Sequence, residues 1–214
     1  MSRLPLLCAS LALAVAVPLP AADRPLDEGR LDPAWFGSGL EFRETDEIDY
    51  LWVRPGFALE GKKIRFAPWP EPELLGEGAA QRDTKDKRLA KQMASTMHEV
   101  FAEAFTNAYG DRISIVESGE EVRADGRVVD CSTGATAAKI LVGFGAGAGN
   151  TTIDWKLVDA TTGELLLAIH HRSVSGTSWS TTDSKFVDWI DETAEEGAKK
   201  GFEKLYAKGD RVKE

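Results

Sequence analysis

Apolar residues recur every three or four positions through 84–109: Leu89, Met93, Met97, Val100, Phe101, Ala104, Phe105 and Ala108. On a period of 3.6 residues these share one face, so the pattern predicts an amphipathic helix. Asp83 stands where an N-cap belongs and Gly110 where the helix can end. Lys85, Lys87, Arg88 and Lys91 crowd the first turns, where the helix dipole disfavours cations, and read as a solvated face. A second helical period covers Ser184 to Lys208, with Phe186, Ile190, Thr193, Ala194, Gly197, Gly201 and Leu205 in one stripe. Asp183 or Ser184 can cap it and Gly209 can end it. Ala194, Gly197, Ala198 and Gly201 make part of that stripe small. Each helical glycine costs about 1 kcal/mol against alanine, a cost that close packing of the helix on a sheet would offset.

Between these helices the period shortens to two. Ile48–Arg54 and "KKIRFAPW" read as strands, the second stopped by Pro68 and Pro70. "DRISIVES" reads as another, and "PWPEPELLGEGAAQ" as a loop. In "VRADGRVVDCST" the Asp125-Gly126 pair is a strong two-residue hairpin signal. "TIDWKLVDA" puts Ile153, Trp155 and Leu157 on one face against Asp154 and Lys156. "ELLLAIHHRSVS" begins apolar on both faces, as a central strand does. A turn at "DATTGE" joins these two, with Asp159 at its start and Gly163 supplying the positive φ.

The run "KILVGFGAGAGNTTIDW" places Gly143, Gly145, Gly147 and Gly149 at alternate positions. A dinucleotide fingerprint needs a helix after its glycines to bring N–H groups to the phosphate. Here a strand follows, and a phosphate-loop lysine is absent. As a strand, 139–149 carries its glycines on one bare face, suited to close packing or docking. The apolar parity changes between Ala148 and Ile153, which predicts a turn or bulge at Gly149-Asn150.

The first residues, "MSRLPLLCASLALAVAVPLPAAD", have the order of a secretory signal peptide: Arg3, an apolar run from Leu4 to Val17, then small residues at Ala21-Ala22. The run is shorter than the roughly 20 residues of a membrane span. Cleavage is expected near Ala22, releasing a periplasmic or secreted protein. Leu7-Cys8 lies before the apolar run, so the chain is read as not lipidated. Residues 1–22 are then the signal, 23–45 an extended arm with Trp35 and Phe36 tucked onto the domain, 46–209 one domain and 210–214 a tail. An arm that folds on a partner is the alternative reading of 23–45.

Removing the signal takes away Arg3 alone among charged residues, moving the net charge from −9 to −10. Such acidity argues against nucleic acid as a partner. Cys131 becomes the sole cysteine, so no internal disulfide can form and the fold must rest on its core.

Candidate chemistry is sparse. His170-His171 are strand neighbours and point to opposite faces, so the pair cannot grip one metal ion from one side; one is expected packed and the other solvated. His98 is read as a surface or boundary residue. Ser175, Ser178 and Ser180 lack the G-x-S-x-G elbow of a nucleophile. No catalytic residue, metal ligand or cofactor is assigned.

The hairpin "TTIDWKLVDATTGELLLAIHHRSVSG" carries a resemblance. Its "lvDa-tGe-l" pattern is similar to hairpins of the curli-secretion lipoprotein's periplasmic domain, the TolB amino-terminal domain and the lipoprotein activators of peptidoglycan synthases. Uncharacterised domain-of-unknown-function families of bacterial envelopes resemble it more closely, because in them "VGFGAG" runs straight into that hairpin, as residues 142–147 do here. The likeness covers roughly Ile48 to Tyr206. It implies an α/β sandwich in the cell envelope and carries over no catalytic residue. Those relatives are often lipid-anchored, and this chain lacks the cysteine signal for it.

Together these readings predict one α+β domain: an antiparallel or mixed sheet of five to six strands with two main helices on one face. The expected function is a non-enzymatic periplasmic or secreted protein that binds another envelope protein or itself. A small-ligand-binding protein or enzyme with a pocket made only by folding is the alternative; a deep polar pocket with His170 or His171 beside a carboxylate would favour it.

Overall fold

The structure, a computed structural model, describes residues 29–132, 149–174 and 182–212. Its elements are α1 (Pro33–Phe36), β1 (Arg43–Glu44), β2 (Tyr50–Val53), β3 (Lys63–Phe66), α2 (Thr84–Tyr109), β4 (Ser114–Ile115), β5 (Val122–Ser132), β6 (Asn150–Asp159), β7 (Leu165–Val174), α3 (Thr182–Lys200), α4 (Phe202–Lys208) and β8 (Asp210–Arg211). The strands form one mixed sheet in the order β4-β3-β5-β6-β7-β2-β1-β8. Strand β3 runs parallel to β4 and β5; the other pairings are antiparallel. The sheet therefore has eight strands, not five to six. Three of them, β1, β4 and β8, are two residues long and too short to leave a period in the sequence.

Helix α2 begins and ends where its pattern predicts. The Asp83 carboxylate accepts from the Lys85 and Asp86 N–H groups, and the Asp86 side chain accepts from the Asp83 N–H in return. This capping box satisfies donors that the first helical turn cannot pair internally. The apolar stripe of α2 lies over the sheet: the Phe101 ring stacks on Trp155 with centroids 5.2 Å apart, and Phe105 packs 5.4 Å from the same ring. Phe186, Ile190 and Ala194 of α3 complete this core with Ile153, Leu157, Leu167 and Ile169 of the central strands. Each large apolar side chain so buried contributes about 1.5–3 kcal/mol relative to exposure.

Three sequence expectations need correction. Asp125-Gly126 is no hairpin turn; it lies inside the eleven-residue strand β5, paired with Lys156 and Trp155. Glycine is required there because the Trp69 indole lies over the backbone: a Cβ at Gly126 would come within 2.2 Å of it. The final helix is not continuous. It breaks at Gly201, whose φ is 80°, and Phe202 folds back so that a Cβ at Gly197 would meet its ring at 2.5 Å. Gly197 thus accommodates Phe202, while Ala194 and Ala198 of the same stripe lie in the core. Asn150 is not a turn residue; it is the first residue of β6, paired with Ser132 and Val174.

The parity change expected after Ala148 begins outside the described residues; strand β5 carries a bulge of its own. Its ladder with β6 shifts between Val128 and Asp130, two residues against one, at Val129. The Val129 carbonyl is engaged by the Leu75 N–H at 2.7 Å. Without that bulge Val128 and Asp130 would face the same way. With it, Val128 and Cys131 enter the helix-covered core, and Asp130 turns to the opposite face of the sheet.

Candidate functional site

The sheet face away from α2 and α3 carries charged side chains from three adjacent strands, and the N-terminal arm covers it. Strand alternation sends Arg127 of β5, Asp154 of β6 and His170 of β7 to this side. His170 Nδ1 lies 2.7 Å from Asp154 Oδ1. The other carboxylate oxygen of Asp154 accepts from Arg127 Nε at 2.8 Å. Arg127 in turn reaches Asp32 of the arm at 3.0 Å. Four residues from three strands and the arm thereby form a continuous relay. Its inner pair is sealed: Asp154 is 0% and His170 1% exposed.

Asp130 anchors a second cluster one step along the sheet. Arg30 donates to it at 2.9 Å and Arg82 makes two contacts at 2.7 and 2.8 Å. Asp130 is fully buried, so its charge is tolerable only because these cations meet it. Arg82 is raised above its ordinary pKa by the Asp130 hydrogen bond, with burial opposing.

Aromatic side chains close the site. Trp35 lies against two cations, with the Arg127 guanidinium 4.5 Å and the Lys156 ammonium 3.8 Å from its ring centroid. Lys156 also donates to the Trp35 carbonyl at 2.8 Å. Burial pushes the Lys156 pKa down, and Arg127 and Arg123 add to this against the pull of Asp125 and Asp154. Phe36, Phe42, Tyr50 and His170 follow in an edge-to-face series at 5.6, 6.0 and 5.3 Å. Burial alone would raise the Asp32 pKa, but hydrogen bonds from Arg127 and from the Ala34 and Trp35 N–H groups lower it further still.

His171 points to the helix side. Its ring stacks on Trp189 of α3 at 4.0 Å, and its Nδ1 lies 3.3 Å from the Asp49 carboxylate. The Trp189 indole donates to the Glu47 carbonyl at 2.6 Å. Burial would raise the Asp49 pKa, yet the adjoining His171 and the Arg172 N–H hold it below its ordinary value. Opposite orientation of the two histidines is therefore correct, but the expectation that one is solvated is not: both are buried. His98 is half-buried, and its Nδ1 has no hydrogen-bond partner among the described residues.

The remaining sequence candidates do not converge. Gly143, Gly145 and Gly147, with Ser175, Ser178 and Ser180, lie outside the described residues. Gly149 is buried just ahead of β6. Asp159 and Gly163 form the β6–β7 turn: the Asp159 carboxylate accepts from the Thr161 and Thr162 N–H groups, and Gly163 has φ 74°.

Depressions open between described residues, among them four of about 320, 520, 720 and 390 Å³. None of these four is lined by His170 or His171. Among the described residues no group of three or more His, Cys, Asp or Glu side chains is placed to hold a metal ion. Nor is any described helix long and apolar enough to cross a membrane. Sequence reading missed the whole outer-face cluster. Its signal was the alternation of Arg123, Asp125 and Arg127 beside Asp154 and Lys156, opposite an arm carrying Arg30 and Asp32.

Two solved structures are similar to this chain over about two thirds of its length. The PelC dodecamer from Paraburkholderia phytofirmans is 13% identical, with a TM-score of 0.45 over 68% of this chain and 96% of that one. A protein of the DUF330 family from Xanthomonas campestris is 9% identical, with a TM-score of 0.40 over 67% of this chain and 85% of that one. No curated protein matches the chain. Residues 53–178 match the family described as "Domain of unknown function (DUF4410)". That span is more than half of the 214 residues, and the chain belongs to the DUF4410 family.

Proposed function

We propose that the mature chain is a periplasmic or secreted, non-enzymatic protein that binds another envelope protein or itself. The observation that carries this reading is the occupied outer face. An arm with little structure of its own is laid on β5 and β6 through charge pairs and cation–aromatic contacts, which fix a peptide segment in one orientation. The arrangement of the Asp–His pair supports a role in holding that face. A general base must come within hydrogen-bond reach of a substrate proton, whereas Asp154 and His170 are sealed from solvent. The signal-peptide pattern of residues 1–22 supports the compartment.

A small-ligand reading has one supporting feature, the depression of about 320 Å³ where Phe57, Tyr109, Arg112 and Phe202 meet. It lacks a histidine beside a carboxylate, the arrangement that acid–base chemistry would need.

Cross-linking in the native envelope, followed by identification of the captured chain, tests the proposal. A discrete adduct with an envelope protein or a second copy supports it. Recovery of the single chain alone, under conditions that cross-link known complexes in the same cells, overturns it.

A further inference from the structure

We infer that the arm is exchanged between two copies of this chain, the segment from Gly29 to Phe36 of one lying on the sheet of the other. This rests on the self-binding branch of the function proposed above and specifies how it is achieved.

The segment has little internal fold to lose. Helix α1 is four residues long, against the roughly 12–15 that an isolated helix needs. Its hold on the sheet comes from residues about a hundred positions away: Arg30 on Asp130, Asp32 on Arg127, and Lys156 on the Trp35 carbonyl. A second copy offers the same partners, so exchange keeps every one of these contacts.

The charges also set a register. The arm presents a cation, Arg30, and then an anion, Asp32. Strand β5 presents Arg127 and then Asp130, the complementary pair. Two opposed charge pairs select this arm in one orientation and discriminate against an arbitrary peptide.

The hinge supplies the reach. The Phe36 and Phe42 rings are 5.6 Å apart, so residues 37–41 bring two side chains together across five positions. Gly37 and Gly39 adopt φ 105° and 80° there, and glycine passes readily between such positive-φ conformations and extended backbone. Opened, five residues span roughly 17 Å, and short tight hinges are the ones that favour exchange. Strand β1 stays on its own body through β2 and β8, which ends the exchanged segment at the hinge.

The test uses the whole mature chain with photoreactive benzoylphenylalanine at position 35. Isotopically light and heavy copies are unfolded and refolded together, irradiated and digested. Exchange gives light–heavy adducts between the position-35 peptide and peptides containing Arg127 or Lys156, about half of all such adducts. Same-isotope adducts alone overturn it. Light scattering on the same sample separates the two failures. A multi-chain mass with same-isotope adducts overturns exchange and leaves self-binding standing; a single-chain mass with same-isotope adducts overturns both. Should replacement of Trp35 impair folding, the probe at exposed Ala34 gives the same readout.

Discussion

His170 and Asp154 meet across the β6–β7 ladder with Nδ1 2.7 Å from Oδ1, and Arg127 holds the same carboxylate from the other side. One buried anion is thus shared by an imidazole and a guanidinium. Asp154→Asn leaves Arg127 with Asp32 as its remaining carboxylate in this relay. Removing one member of a buried ion pair costs about 3–5 kcal/mol, so a loss of that size is expected in urea unfolding. A loss below 1 kcal/mol would show that the relay contributes little to stability.

Gly126 and Trp69 provide a second test. Gly126→Ala forces the indole aside and is expected to cost about 1–3 kcal/mol, the usual range for overpacking a core. Trp69→Leu makes room, so the alanine should cost less in that background. A double-mutant cycle measures the coupling. If the two changes simply add, packing under Trp69 is not why glycine stands there.

These two sites also show how much of the molecule its sequence made legible. Helix α2 was readable because stripe, cap and exit all lie within one window. The β6–β7 hairpin was readable because its alternation and its Asp159–Gly163 turn are contiguous. Gly126 was misread because the residue that demands it, Trp69, comes from a distant loop, while the local Asp-Gly pair signals a turn. The outer-face cluster left even less trace. Arg30 and Asp130 are separated by 100 positions, and the bulge at Val129 that turns Asp130 outward has no signature of its own. The positions of α2, α3 and the β6–β7 hairpin follow from local periods; the site between arm and sheet follows only from their assembly.

Acid should weaken the fold through two further carboxyls. Asp32 and Asp49 both lie below their ordinary value of 3.8 in the folded chain. For groups lowered in this way, the stabilisation is complete above the unfolded value and is lost as pH falls through the folded one. Stability should therefore decline below about pH 4, and the Asp32→Asn, Asp49→Asn double variant should decline less over the same interval. Chemical unfolding at stepped pH measures this. Equal slopes for the two proteins would remove both carboxyls from the acid response.

The break at Gly201 carries an expectation of its own. Its φ of 80° suits glycine, and an alanine there is expected to cost about 1 kcal/mol or more. Gly197→Ala, which drives a methyl into the Phe202 ring, should cost more, and Phe202→Ala should reduce that difference. Thermal unfolding of the three variants distinguishes the two glycines. Equal costs, unchanged by Phe202→Ala, would contradict the packing of Phe202 over Gly197.

The binding claim is tested most directly by cross-linking in the intact envelope, comparing the wild-type chain with an Arg30→Ala, Asp32→Ala variant shown by circular dichroism to remain folded. The expected result is a discrete adduct with a second chain for the wild type, lost or much reduced in the variant. Recovery of both proteins as uncross-linked single chains would contradict it, and the same adducts at the same yield from both would contradict the arm's part in it.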